Sequence, residues 1–375
     1  MFTTKKIAVV SVINDLVTDN RVNKTCLTFV ECGFEVVLIG RVLPNSLPTP
    51  IWPFKSVRMK LLFLTGPLFY FFFNLRLFFK LLFNKADVLL ANDLDTLLPN
   101  YLVSKIKSIP LIYDSHELFC EVPELISSPA KRKTWLWIEK TIVPKLKNCI
   151  TVNDSIAKIF EEKYKVKFTV VRNISLLDEA FVPKLRNELN LPTDKKIILL
   201  QGAGINVDRG AEELIDAMEF VDNAVLLIIG SGDVWNVLEQ KAKNKHLQEK
   251  VILINKIPKR DLMHYTFNAD IGLSIDKNTN LNYYYSLPNK IFDYLHAGLP
   301  ILASRLPEIE RLITQYKLGS FIDNHTPQNI ALKLNEMLSA PKLMQQYKCN
   351  CIATAKQLTW IYEKQILITI FANFK

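Results

Sequence analysis

Lys290 and Asp293 stand three residues apart at the head of an apolar run that ends in Gly298-Leu-Pro300. Leu287 and Pro288 read as the opening of a helix, with proline in a first-turn slot where a missing N–H costs nothing. Gly298 and Pro300 close it, and 301–303 then reads as a buried strand. A helix N-terminus carries partial positive charge and free N–H groups, so it can seat a phosphate. Lys290 adds a full charge there, and Asp293 can accept hydrogen bonds from sugar hydroxyls. An ordinary αβ unit, with a solvated lysine and an aspartate that complements the helix dipole, fits the same residues.

Two glycine-rich turns offer related chemistry. Gly202-Ala-Gly204 follows the apolar run 197–201 and leads to Arg209-Gly210 at the mouth of a helix. Glycines let backbone approach a phosphate closely, and an arginine grips it with two donors. A dinucleotide fingerprint is excluded, because no third glycine and no acidic partner fall at the required spacing. Gly230-Ser-Gly232-Asp233 also follows a strand, and a tight turn with positive φ at one of its glycines is the simpler reading. In the first half, Asp114-Ser-His116-Glu117 gathers polar groups at a strand end. His116, flanked by carboxylates, could orient a reacting sugar or acceptor hydroxyl; helix capping by Asp114 or Ser115 is the alternative. Asp93 and Asp95 have the Asp-x-Asp spacing of a divalent-metal site. Asp95 precedes a helical run and reads better as its N-cap, so no metal is expected.

The elements that must position these groups alternate through the chain. Short apolar runs at 6–11, 35–39, 88–91, 111–113 and 149–152 are separated by helical periods such as 23–32 and 96–106. The scheme repeats at 196–201, 224–229, 251–254, 271–274 and 301–303, with helices near 211–218, 235–244, 259–267 and 290–297. This predicts an α/β protein with two parallel sheets, each covered by helices on both faces. A polar stretch with Pro183 and Pro192, about 173–194, reads as the linker. Two such domains facing each other form a cleft at the C-terminal ends of their strands, where ligands of this architecture bind. The segment from Pro327 onward reads as helical, with a last apolar portion suited to docking on a domain.

At 375 residues the chain has room for two cores, and its composition excludes disorder and fibrous repeats. No signal peptide is recognisable, and the six cysteines lack zinc or redox spacing, which fits reduced thiols and a cytoplasmic location. The net charge of +10 is uneven: residues 41–86 hold seven basic residues and no acidic one. That region includes the apolar block 61–83, interrupted by Gly66-Pro67. Arg76, Lys80 and Asn84 form one polar stripe on a broad apolar helix around 67–85. Basic residues interleaved with phenylalanine and leucine point to an anionic membrane surface rather than to nucleic acid, with the helix half in its domain and half in the bilayer interface. A wholly internal helix with snorkelling basic ends is the alternative.

With these residues in view, the chain resembles family 4 glycosyltransferases of the GT-B fold essentially end to end. The resemblance is carried by Asp19-Asn-Arg21-Val22, Glu31-Cys-Gly33-Phe-Glu35-Val, Asn92-Asp-Leu-Asp-Thr96 and Tyr113-Asp-Ser-His-Glu117-Leu-Phe. It continues in Gln201-Gly, Arg209-Gly210, Ile229-Gly-Ser-Gly232 and the stretch 286–304. It implies two facing Rossmann-like domains, an acceptor-side domain over 1–175 and a nucleotide-sugar donor domain over 176–350. The helix in 351–375 would pack back on the first. It further implies transfer of a sugar, with retention and without a metal or other cofactor, from a nucleotide-diphosphate donor to a glycan or lipid-linked acceptor. The enzyme would then be peripheral at the inner face of the cytoplasmic membrane. By that resemblance Arg209 and Lys290 neutralise the departing pyrophosphate, and His116 lies near the transferred sugar. Gly202, Gly204, Gly210, Gly232, Tyr285, Ser286, Asn289 and Asp293 serve the donor, and Asp93, Asp114 and Glu117 the acceptor side. Asp293 falls where the family has the second glutamate of a pair seven residues apart, and Tyr285 where it has the first. Asn282, Tyr284 or Ser286 would replace that missing carboxylate. A nucleotide-sugar epimerase on the same fold and a non-catalytic two-lobed sugar-binding protein are the competing readings.

Overall fold

A computed structural model describes residues 5–44 and 46–375; residues 1–4 of the expected first domain lie outside that range. Among the described residues the chain forms two compact units, one reaching to Asn173 and including Ile361–Lys375, the other Ile174–Trp360.

The first unit is built on a parallel sheet of seven strands: β1 (Ile7–Asp15), β2 (Glu35–Arg41), β3 (Lys55–Met59), β4 (Val88–Asn92), β5 (Leu111–Ser115), β6 (Asn148–Thr151) and β7 (Phe168–Val170). Their spatial order is β3-β2-β1-β4-β5-β6-β7. The second unit has six: β8 (Lys196–Gly202), β9 (Ala224–Gly230), β10 (Val251–Asn255), β11 (Ile271–Ser274), β12 (Ile301–Ala303) and β13 (Gly319–Phe321), ordered β10-β9-β8-β11-β12-β13. Every pairing is parallel. Both sheets reverse direction of growth next to their first strand, between β1 and β4 and between β8 and β11. Such a switch point leaves a crevice beyond the strand ends. β4 and β9 are buried along their whole length, as apolar runs covered on both faces must be.

Three strands were not expected from the sequence. β3 is polar and lies at a sheet edge, while β7 and β13 have three residues each, too few to show a period. The stretch read as a linker is mostly part of the second unit. Ile174 and Leu191 are in its core, and Arg186 reaches the Asn268 carbonyl and the Asp270 carboxylate. The expected boundary at 350/351 falls inside the helix Pro341–Ala355, whose Cys351 and Ala355 are buried in that core. The helix Trp360–Ala372 contributes Leu367 and Phe371 to the first unit. Phe371 stacks on Phe29 with ring centroids 3.6 Å apart, and Glu363 accepts from the Arg172 backbone N–H at 2.7 Å and its Nε at 2.9 Å.

The apolar block forms the helix Gly66–Phe83. Phe69, Phe73, Leu77 and Leu81, four residues apart, make its buried stripe; Leu68, Phe71, Leu75, Phe79 and Phe83 are exposed. By length and composition alone it could cross a membrane, though its inward stripe is part of the unit's core. Arg76, within the expected polar stripe, hydrogen-bonds the Lys60 carbonyl.

Candidate functional site

In the first unit the polar groups collect beyond β4 and β5, next to the start of the helix Leu94–Lys107. Asp114, at the buried end of β5, receives Arg21 through two parallel bonds, Nε at 3.0 Å and Nη2 at 2.7 Å. Arg21 Nη1 also donates to the Val171 carbonyl at 2.7 Å. Burial by itself raises the Asp114 pKa, but Arg21 and His116 outweigh it and hold the carboxyl well below its usual range. Asp114 therefore caps no helix; it anchors Arg21. His116 lies between two carboxylates, its Nδ1 3.1 Å from Asp93 and its Nε2 3.5 Å from Asp114, while its backbone N–H donates to Asp93 at 2.8 Å. Burial pulls the imidazole pKa down; Asp93 and Asp114 together hold it well above the ordinary value. Such a ring is a cationic donor rather than a free base.

The expected cap is displaced by two residues. The helix begins at Leu94, so Asp93 holds the N-cap position, with φ 59°, and its carboxylate serves His116 instead of the helix. Asp95 sits in the first turn, buried. Burial, then Asp93 and Glu117, push its carboxyl well above the usual range. Asp93, Asp114, His116 and Glu117 are thus brought together. Among the described residues no group of three or more His, Cys, Asp or Glu side chains has a geometry that could hold a metal.

In the second unit the convergence is on a residue not singled out from sequence. Asp276 follows β11 and is fully buried. Arg209, from the loop after β8, places Nη1 3.2 Å from one Asp276 oxygen, and Lys290 places Nζ 4.0 Å from the other. The Arg209 guanidinium also lies over the Tyr283 ring, 3.9 Å from its centroid. Lys290 is the second residue of the helix Asn289–His296, with Pro288 at the cap position rather than in the first turn. Burial lowers the Lys290 pKa, Asp276 opposes that, and Arg209 adds to it; the balance is a lowered value. Gly298, at φ 64°, ends the chain's exit from the helix as read.

Asp293 is placed differently. Its carboxylate is buried and accepts from Ser175 Oγ at 3.0 Å and Gln201 Nε2 at 3.0 Å, and it pairs with Lys259. Gln201 accepts in turn from Thr266 Oγ1 at 2.7 Å. The Asp293 oxygens are engaged within the unit, so here the residue braces the helix against β8. Tyr285 packs edge-on against Tyr284, Ser286 donates to the Tyr283 carbonyl at 2.9 Å, and Asn289 is exposed.

The glycines divide by cause. Gly210 has φ 78°, and a Cβ there would lie 2.5 Å from the Ile275 carbonyl oxygen. Gly230 and Gly232 have no positive φ, contrary to the expected turn. Backbone crowding requires them, since a Cβ would come within 1.9 Å of the Gly202 and Ile205 carbonyl oxygens respectively. Gly202 and Gly204 have free space at the Cβ position, with nearest atoms at 3.9 and 3.7 Å.

Two basic groups thus lie beside the switch point of the second sheet, and a clamped imidazolium lies beyond β4 and β5 of the first. Each half of the chain matches a family model. Residues 20–174 match the Glycosyltransferase Family 4 model, and residues 181–353 match Glycosyl transferases group 1. The chain has the GT-B fold and resembles the family 4 glycosyltransferases in both halves. An uncharacterized glycosyltransferase of Methanocaldococcus jannaschii is 24% identical over 199 residues, 50% of this chain; the match spans about half, 49%, of that relative. Sucrose-phosphate synthase of Thermosynechococcus elongatus has the same fold at 16% identity, with a TM-score of 0.83 over 98% of this chain and 99% of that one. Anabaena HepE, solved in complex with UDP-glucose, aligns at 13% identity with a TM-score of 0.72 over 98% and 99%.

Proposed function

We propose that the protein transfers a sugar, with retention, from a nucleoside-diphosphate donor to a glycan or lipid-linked acceptor at the cytoplasmic face of a membrane. The observation that carries this is the convergence of Arg209 and Lys290 on one buried point, beyond adjacent strands β8 and β11. Negative charge grows on the diphosphate as the glycosidic bond breaks. Fixed cations in a water-poor site stabilise that charge, each by roughly 3–4 kcal/mol if lost singly. Two such cations do the work that a divalent metal does elsewhere, so the reading needs no metal. The UDP-glucose bound to HepE supports a nucleotide-sugar donor. In the acceptor-side unit, His116 is a charged donor able to orient a hydroxyl or the transferred sugar, and Asp114 and Asp93 fix its ring. The exposed row Leu68, Phe71, Leu75, Phe79 and Phe83, set in the acid-free basic region, supports a lipid surface as the place where the acceptor is met.

The test is incubation with radiolabelled UDP- and GDP-sugars, with and without lipid extract. Label is expected to pass to a lipid or glycan fraction only when that fraction is added. Failure of transfer and of donor hydrolysis across both nucleotide series would sink the reading. Interconversion of the nucleotide sugar without any acceptor would make it an epimerase. Loss of binding to anionic vesicles on Phe71→Asp with Phe79→Asp is expected; binding that survives the pair would remove the membrane part alone.

A further inference from the structure

Arg209 and Lys290 do not face an empty space: both point at Asp276, which no motif predicts and the mechanism above leaves idle. Its carboxylate is fully buried, and among the described residues neither oxygen has a conventional hydrogen-bond partner. A buried carboxylate left with ion pairs alone is an unusual expense unless the pairs are exchanged for something. We propose that Asp276 is a positioning residue, an internal counter-ion that holds Arg209 and Lys290 together before the donor arrives and releases them to its diphosphate. This rests on the donor-site reading and goes beyond it by assigning the donor-free state of the site.

The physical argument is about charge. Two cations brought together in a buried site repel, and the lysine is the one that can yield by losing its proton. Burial and Arg209 both push the Lys290 pKa down, and Asp276 is the group that pushes it up. Without Asp276 the balance shifts further toward the neutral amine, and the diphosphate must draw a proton onto Lys290 as it binds. With Asp276 the charged form is favoured before the donor arrives. The net charge of the trio is +1, enough to attract a diphosphate yet low enough to let the nucleoside diphosphate leave. The other groups around the trio are accounted for. Tyr283 covers the guanidinium of Arg209, and Tyr294 hydrogen-bonds the Leu273 carbonyl at 3.1 Å. His325 Nε2 lies 3.1 Å from the Ile275 carbonyl, and Lys277 is paired with Glu213 and Asp208. Asp293 and Lys259 pair with each other beside the same helix.

The experiment is calorimetric binding of UDP and GDP between pH 7.5 and 8.5, above the range of an ordinary histidine, in buffers of different ionisation enthalpy. The wild-type protein is expected to bind with no net proton uptake and a flat pH profile. Asp276→Asn, of the same shape, is expected to take up more protons on binding than the wild type. Its affinity should fall with rising pH across that unit, by up to the tenfold that linkage sets for one whole proton. Adding Lys290→Arg to Asp276→Asn should flatten the profile again, because a guanidinium stays charged. A flat profile in folded Asp276→Asn overturns the proposal, and so does uptake near one proton by the wild type, which needs no variant. Should neither nucleotide bind the wild type, or should Arg209→Ala and Lys290→Ala bind as well as wild type, the donor-site reading fails instead.

Discussion

The two charged clusters are built on the same plan and balanced in opposite ways. In the first unit Asp114 is saturated: Arg21 fills it with two short bonds, and His116 sits between it and Asp93. In the second unit a single carboxylate, Asp276, is met by two cations at 3.2 and 4.0 Å, as ion pairs without a conventional hydrogen bond. One cluster has its partners fixed; the other has positive charge to spare. The difference separates charge that is balanced within the fold, where Arg21 and His116 meet two carboxylates, from a net positive charge, where Arg209 and Lys290 meet one.

Arg21→Leu should test the saturated side most severely. Breaking a buried pair and stranding the remaining charge costs about 3–5 kcal/mol, read as an earlier urea transition. On the open side Lys290→Ala should leave the unfolding curve nearly unchanged and lower turnover by about 10²–10³-fold. A large loss of stability in Lys290→Ala with little effect on turnover would reverse the contrast. Gly232→Ala should destabilise by roughly 1–3 kcal/mol, because its Cβ would strike the Ile205 carbonyl oxygen. His116→Gln adds a pH test. The folded imidazole pKa lies above its unfolded value of about 6.5, so its stabilisation is complete below that pH and is lost as pH rises through the folded pKa. The stability gap between wild type and His116→Gln should therefore be widest near pH 6 and narrow into the alkaline range. Asp114 has the opposite sign: its contribution is present above about pH 4 and disappears as pH falls through its depressed pKa. Gly204→Ala should change stability least, by under about 0.5 kcal/mol, since the Cβ position is open. Any fall in donor affinity there reports on the ligand and not on the fold.

The architecture was legible because buried parallel strands announce themselves as unbroken apolar runs, and ten of these were placed from sequence. β3 escaped because an edge strand reading Lys-Ser-Val-Arg-Met buries only Met59, too little to show an apolar run. Of the site residues, Arg209 and Lys290 were recognisable from the glycine turn and the helix start beside them. Asp276 was not: it follows Ser274-Ile275 with no glycine or proline to mark it. The usable signal was positional, a lone carboxylate just past the end of a buried strand neighbouring β8. Asp95 was misread as a cap because the two aspartates of Asp93-Leu-Asp95 compete for one helix start, and only the His116 contacts decide between them. Asp293 looked like a ligand for sugar from its neighbours in sequence. Ser175, Gln201 and Lys259, which occupy it, lie 118, 92 and 34 positions away.

The stacking of Phe371 on Phe29 has a consequence for biosynthesis. A ribosome releases the first seven strands long before it releases the helix that completes their core. The intervening second unit, 174–360, takes on the order of ten to forty seconds to make at ~5–20 residues per second. Through that interval the nascent first unit carries an unfilled apolar groove around Phe29 and an Arg172 waiting for Glu363. The half of the chain synthesised first is thus the half that finishes folding last, and its final step waits on the segment 361–375.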